Sequence, residues 1–219
     1  MARELPIGVL VSGEGTTLDA LAELAAGGHL PVRIALVVSS RPNAPAIEKA
    51  RRRGLATLVL PPRGLEPEVW AERLSAELQQ RGVELVVLAG FLTILPPSWV
   101  EAWRGRAINV HAALLPKHGG RGFYGQRVHE AVLAAGDRET GATVHLVVPE
   151  VDHGPTIAQA RIDVLPGDTP QSLRERLHPL EVELLATTLR RFADGSLPLP
   201  FPDGGPPSAG SHGAAGERH

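Results

Sequence analysis

Apolar and polar positions alternate along the chain in a regular way. Leu5 to Val11 is a short apolar run closed by Ser12-Gly13, which predicts a buried strand. Leu18 to about Ala26 follows as a helix, with Thr16 or Thr17 as its cap and Gly27-Gly28 as its stop. The same alternation predicts strands at Val32 to Val38, Thr57 to Leu60, Glu84 to Ala89 and Arg106 to Val110. Between them lie helices at Asn43 to Arg53, Glu66 to Arg81 and Pro97 to Trp103, the second with Trp70, Leu74 and Leu78 at helical spacing. Strand and helix in regular succession predict an α/β fold: a Rossmann-like, mostly parallel sheet with helices on both faces.

The pattern changes after Val128 to Ala135, which reads as a helix. Thr143 to Val148 and Thr156 to Val164 read as strands with no helix between them, so an antiparallel pair is expected. Gly167-Asp168-Thr169-Pro170 starts a last helix that runs to about Phe192. Residues 1–195 are expected to form one domain, and the Pro- and Gly-rich stretch 196–219 a disordered tail.

In parallel sheets ligands sit beyond the carboxyl ends of the strands. Three segments lie there: Ser12 to Thr17, Gly90 to Leu95, and Asn109 to Lys117. Asn109 and His111 are two apart at a strand end and share one face. An amide and an imidazole together can donate to an oxygen that gains charge, and the imidazole can move a proton near neutral pH. That suits acyl transfer to or from an amine. Ser12-Gly13-Glu14-Gly15-Thr16-Thr17 joins the first strand to a helix N-terminus, a cradle for an anion such as phosphate. It is a poor dinucleotide fingerprint, because Leu18 stands where a third glycine belongs. Asp152, in a turn after Thr143 to Val148, is a carboxylate that could orient His111.

Composition narrows the class. The chain has 219 residues, a net charge of −2 and no cysteine. That excludes disulfides and thiolate chemistry and offers no basic field for nucleic acid. Neither a signal peptide nor a membrane-spanning run is present, so a cytoplasmic protein with small-molecule substrates is expected, as monomer or homodimer.

Seven segments together resemble the phosphoribosylglycinamide formyltransferases, the folate-dependent family of purine synthesis. They are S-G-x-G-x-x-L at Ser12, V-x-S-x-R-P at Val38, L-A-G-F-x-x-I-L at Leu88, I-N-V-H-x-x-L-L-P-K at Ile108, G-x-T-V-H at Gly141, D-x-G-P at Asp152 and G-D-T at Gly167. The similarity spans about residues 5 to 195. It implies transfer of the formyl group of 10-formyltetrahydrofolate to the amine of glycinamide ribonucleotide, without a metal. It also implies the roles of residues. Asn109 and His111 stabilise a tetrahedral oxyanion, and Asp152 holds His111 in its protonated form. Gly13, Gly15, Thr16 and Thr17 take the nucleotide phosphate, and His178 and Glu181 close that site. Leu92, Thr93, Ile94 and Leu95, with Val148, Pro149, Glu150, Val151, Asp152 and Asn109, hold the folate. Two departures stand out: Thr16-Thr17 replaces a usual Ser-Asn, and Pro67 stands where an Arg is common. His118, His129, His145 and His153 are expected to be structural or peripheral, and Arg121 and Tyr124 to line the entrance. The alternatives are another formyltetrahydrofolate enzyme, hydrolase or different acceptor, and an NADP-binding oxidoreductase with a 2′-phosphate on Ser39-Ser40-Arg41. No residues before Leu5 are available for the hydrolase's extra domain. The chain beyond residue 195 is too short and too little basic for the nucleic-acid domain of a tRNA-directed enzyme.

Overall fold

The computed structural model describes residues 4–203. The strands are β1 (Leu5–Val11), β2 (Val32–Ser39), β3 (Thr57–Val59), β4 (Leu85–Leu88), β5 (Ala107–His111), β6 (Glu139–Leu146) and β7 (Thr156–Asp163). The helices are α1 (Thr16–Ala26), α2 (Pro45–Arg52), α3 (Pro67–Gln80), α4 (Pro97–Ala102), α5 (Gln126–Ala134) and α6 (Pro170–Ala193). All lie in one sheet in the order β3-β2-β1-β4-β5-β6-β7. β1 to β5 run parallel, and β6 and β7 are antiparallel to their neighbours. The direction of winding reverses between β1 and β4, where a cleft is expected.

Alternation along each strand sorts the core into two layers. Ile7, Val9, Val11, Leu85 and Val87 pack with Leu18, Leu21, Leu185 and Leu189 on the side of α1, α2 and α6. Leu10, Val86 and Leu88 pack with Trp70, Leu74, Leu78, Trp99 and Trp103 on the side of α3 and α4. Gly8 lets α3 approach the sheet, because a Cβ there would stand 2.6 Å from Leu78 Cδ2.

Most element bounds fall within two residues of those expected. β6 is the exception, starting at Glu139 rather than Thr143. Its first residues, Glu139 to Ala142, pair with Ala160 to Asp163 of β7, so the ladder extends into residues that look like loop on their own. Neither Thr16 nor Thr17 caps α1. Gly15 is the N-cap, left-handed at φ 69°, with no side-chain cap bond. At α6 Thr169 and Ser172 form a reciprocal capping box. Pro67 sits in the first turn of α3, where a missing N–H costs nothing.

The ordered fold also continues past residue 195. Leu197 and Phe201 are buried in the core beside Phe192, and the Phe201 N–H donates to the Gly105 carbonyl at 2.7 Å. Two apolar side chains thus anchor a stretch whose composition reads as tail. The rest of that expected tail, 204–219, lies outside the described residues.

Phe201→Ala is expected to destabilise the fold by about 3 kcal/mol, as loss of a fully buried aromatic does. Urea unfolding measures this, and an unchanged midpoint would show that the segment adds nothing.

Candidate active site

The carboxyl ends of β1, β4 and β5 converge as expected, and that of β2 joins them. The Ser12 hydroxyl accepts from Leu92 N at 3.0 Å and lies 3.2 Å from the Ser40 hydroxyl, which accepts from Thr93 Oγ1 at 2.7 Å. These bonds tie the loops after β1, β2 and β4 together. They also use the Ser40 hydroxyl, while Ser39 closes a turn on Arg41 through two bonds of its own. The loop after β1 is docked on α2: Gly13 O accepts from Ala46 N at 3.1 Å. A Cβ on Gly15 would stand 2.5 Å from that of Ala46, so only glycine fits this left-handed turn. The N-terminus of α1 is thereby aimed into a cleft of about 550 Å³. Gly13, Gly15, Thr16, Thr17, His178 and Glu181 line it, together with Asn109, His111 and Asp152.

A smaller cavity of about 110 Å³ shares Asn109 and Asp152 with the large one. Leu92, Thr93, Ile94 and Leu95 form one wall, and Val148, Pro149 and Val151 the other. Leu92 and Ile94 are 40% and 52% exposed, so this wall presents apolar surface. Glu150 is exposed and lines neither cavity, contrary to its expected place in this wall. Its backbone carbonyl instead closes the turn on His153 N.

The chemical groups sit where the two cavities meet. Asn109 pairs with His145 and His111 with Thr143 across the β5–β6 ladder, so all four project on one face. Asp152 comes from the turn before β7, with a left-handed backbone at φ 60°. Its Oδ2 lies 3.7 Å from His111 Nδ1 and accepts from Gly120 N at 3.0 Å. Its Oδ1 accepts from Asn109 Nδ2 at 3.4 Å and lies 3.5 Å from His145 Nε2. Asn109 Nδ2 is 3.0 Å from His145 Nε2, whose ring is fixed by Nδ1–H donating to Leu146 O at 2.8 Å. His111 Nε2–H donates to His118 O at 2.8 Å. His111 Nδ1 is therefore the ring nitrogen not tied to protein within hydrogen-bond distance.

The Asp152 side chain is only 8% exposed. Burial alone pushes its carboxyl up, but the His145 hydrogen bond, the His111 charge and the Gly120 N–H outweigh that and hold it below the ordinary value. His129 is buried in the cleft wall, and its Nδ1 has no partner among the described residues. Burial pushes this imidazole down; Glu181 opposes the shift, while Arg174 and His111 add to it. His178 Nδ1 lies 3.7 Å from Glu181 on the same face of α6. Arg121 and Tyr124 line the cleft with Arg41 and Arg174.

Three histidines are thus closer to the chemistry than expected. His145 touches Asn109, His118 holds His111 through its backbone carbonyl, and His129 lines the cleft. The signal for His145 was its strand: β6 puts it opposite Asn109. Nothing local marks His118, whose part is played by a carbonyl. His153 is exposed and only caps its own turn.

The sequence profile of the formyl transferase family matches residues 6–189. The chain belongs to that family. A phosphoribosylglycinamide formyltransferase of Escherichia coli K12 is 34% identical to this formyl transferase over 87% of the chain and 88% of its own length. A chloroplastic one from Arabidopsis thaliana is 36% identical over 84% of the chain, which spans 65% of that relative. Glycinamide ribonucleotide transformylase 1 from Symbiobacterium toebii superposes with a TM-score of 0.83 at 36% identity, covering 90% of the chain and 92% of that structure. Among the described residues no cluster suits a metal, and no helix is long and apolar enough to cross a membrane.

The lowered Asp152 carboxyl links stability to pH. Its contribution is fully present above the unfolded value of 3.8 and is lost as pH falls through the folded value below it. Asp152→Asn is therefore expected to flatten the fall in stability below about pH 4. Urea unfolding from pH 6 down to pH 3 measures this, and parallel curves for the two proteins would refute it.

Proposed function

We propose that this formyl transferase moves the formyl group of 10-formyltetrahydrofolate to the amine of glycinamide ribonucleotide, giving formylglycinamide ribonucleotide and tetrahydrofolate. The observation that carries this reading is the meeting of Asn109, His111 and Asp152 at the seam between two cavities. One cavity suits a phosphorylated amine and the other a flat, partly apolar ring. The relatives named phosphoribosylglycinamide formyltransferase support the same substrates.

The nucleotide phosphate lies on the N–H groups opening α1 and on the hydroxyls of Thr16 and Thr17, with Gly13 and Gly15 allowing close approach. His178 and Glu181 take the ribose. The folate ring fills the smaller cavity between Leu92–Leu95 and Val148–Asp152. This sets the formyl carbon beside Asn109 and His111, and proximity supplies much of the acceleration.

The amine nitrogen then bonds to the formyl carbon as the carbonyl electron pair moves onto oxygen. The resulting oxyanion is held by the Asn109 amide, which turns its NH₂ from His145 and Asp152 toward the cleft, and by His111 Nδ1–H. Asp152 offsets the charge of the imidazolium. When the oxygen pair returns, the bond from carbon to N10 of the folate breaks. N10 takes the Nδ1 proton of His111, and Nδ1 then takes a proton from the attacking nitrogen, so the enzyme ends as it began. An NADP enzyme is disfavoured, because Ser39 and Ser40 spend their hydroxyls inside the fold. We further propose a cytoplasmic enzyme, monomeric or homodimeric.

Purified protein with 10-formyltetrahydrofolate is expected to give tetrahydrofolate only when glycinamide ribonucleotide is added. Equal release into water alone would make it a hydrolase. His111→Ala is expected to lower kcat by roughly 10²–10⁴-fold and to leave nucleotide affinity within a few fold. Full turnover in that variant would remove His111 from the mechanism.

A further inference from the structure

We propose that Asp137, outside the cleft, is a positioning residue that latches His118 and through it selects the tautomer of His111. The functional part of this inference rests on the formyl-transfer reading; the structural part does not.

The chain of contacts is short. Asp137 lies in the turn between α5 and β6, and its carboxylate accepts from Lys117 Nζ and, at 2.7 Å, from His118 Nε2. Those two donors hold it below the ordinary carboxylate value. The His118 side chain is 11% exposed and Asp137 15%, so the contact is largely shielded from water. His118 has a left-handed backbone at φ 55°, a conformation that is unfavourable for a residue with a Cβ. Something must hold it there: the ring is bonded to Asp137 and meets the Phe123 ring edge-on, 6.1 Å between centroids. With the backbone turned this way, the His118 carbonyl faces His111 Nε2 at 2.8 Å.

A carbonyl only accepts, so it requires a hydrogen on Nε2. In the neutral ring the lone pair must then sit on Nδ1, facing the seam of the two cavities. Without the latch the His118 carbonyl is no longer held against Nε2, and the ring is free to carry its hydrogen on Nδ1. Two residues on, Gly120 N–H holds Asp152 Oδ2. The stretch 118–120 therefore sets both the imidazole and the carboxylate. Gly119 between them is confined: a Cβ would stand 2.4 Å from Leu115 Cδ2 and 3.3 Å from Asp152 Cβ.

The experiment compares wild type, Asp137→Ala, Asp137→Asn and His118→Gly, all with the fold checked by near-ultraviolet circular dichroism. Glycine accepts the left-handed backbone but has no ring to latch, so His118→Gly serves if Asp137→Ala does not fold. Two readouts are used: the ¹⁵N shifts of the His111 ring, and kcat with KM for each substrate. At a pH high enough for the ring to be neutral, His111 Nε2 is expected to be hydrogen-bearing in wild type; in Asp137→Ala and His118→Gly the two ring nitrogens are expected to average. In both variants kcat is expected to fall about tenfold with KM nearly unchanged, and Asp137→Asn, which keeps an acceptor, to recover part of it. Ring shifts and kcat like wild type in a folded variant would overturn the proposal. Shifts that move as stated in a protein that never transfers formyl would uphold the latch and refute the formyl-transfer reading instead.

Discussion

A carboxylate taken out of water must be matched by donors or it will not stay charged. Asp152 is matched from several sides: Gly120 N–H, the Asn109 amide, and the edges of His111 and His145. These groups come from β5, from β6 and from the loop after β5, so the site exists only when all three are in place. The left-handed backbones of Asp152 and His118 show the same constraint. Strain of this kind persists where surrounding contacts over-determine the chain.

The sheet supplies that over-determination. Its parallel half brings the loops after β1, β2 and β4 to one edge, where Ser12, Ser40, Leu92 and Thr93 lock together. The antiparallel β6 then lays His145 and Thr143 opposite Asn109 and His111. Thr143 is itself a brace, donating to Ala113 O and accepting from Leu115 N and Gln159 Nε2. The strand that carries the imidazole is thus held along its length and at its exit.

Much of this was readable from residues alone. The order of elements follows from runs of apolar residues and their stops, and the Asn109–His111 pair follows from the two-residue period of a strand. The cap of α1 departs from the usual preference for hydroxyl residues, because Ala46 packs so close that the glycine before Thr16 takes the position. The start of β6 was missed because Glu139 and Gly141 are weak strand formers that pair only because β7 is alongside. Glu150 was drawn into the folate wall by its neighbours in sequence, but the turn points it to solvent. The parts of His118 and His145 depend on backbone geometry and cross-strand register, which no single segment encodes.

The anchoring of Leu197 and Phe201 bears on how stability is separated from chemistry. Leu197 lines one cavity with Leu5, Glu84 and Arg106, and the Phe201 N–H donates to Gly105 O, all at the amino ends of the central strands. Residues 197–201 are therefore fixed at the pole of the sheet opposite the cleft. Changes to this pole of the sheet can thus alter stability without touching the residues that line the cleft.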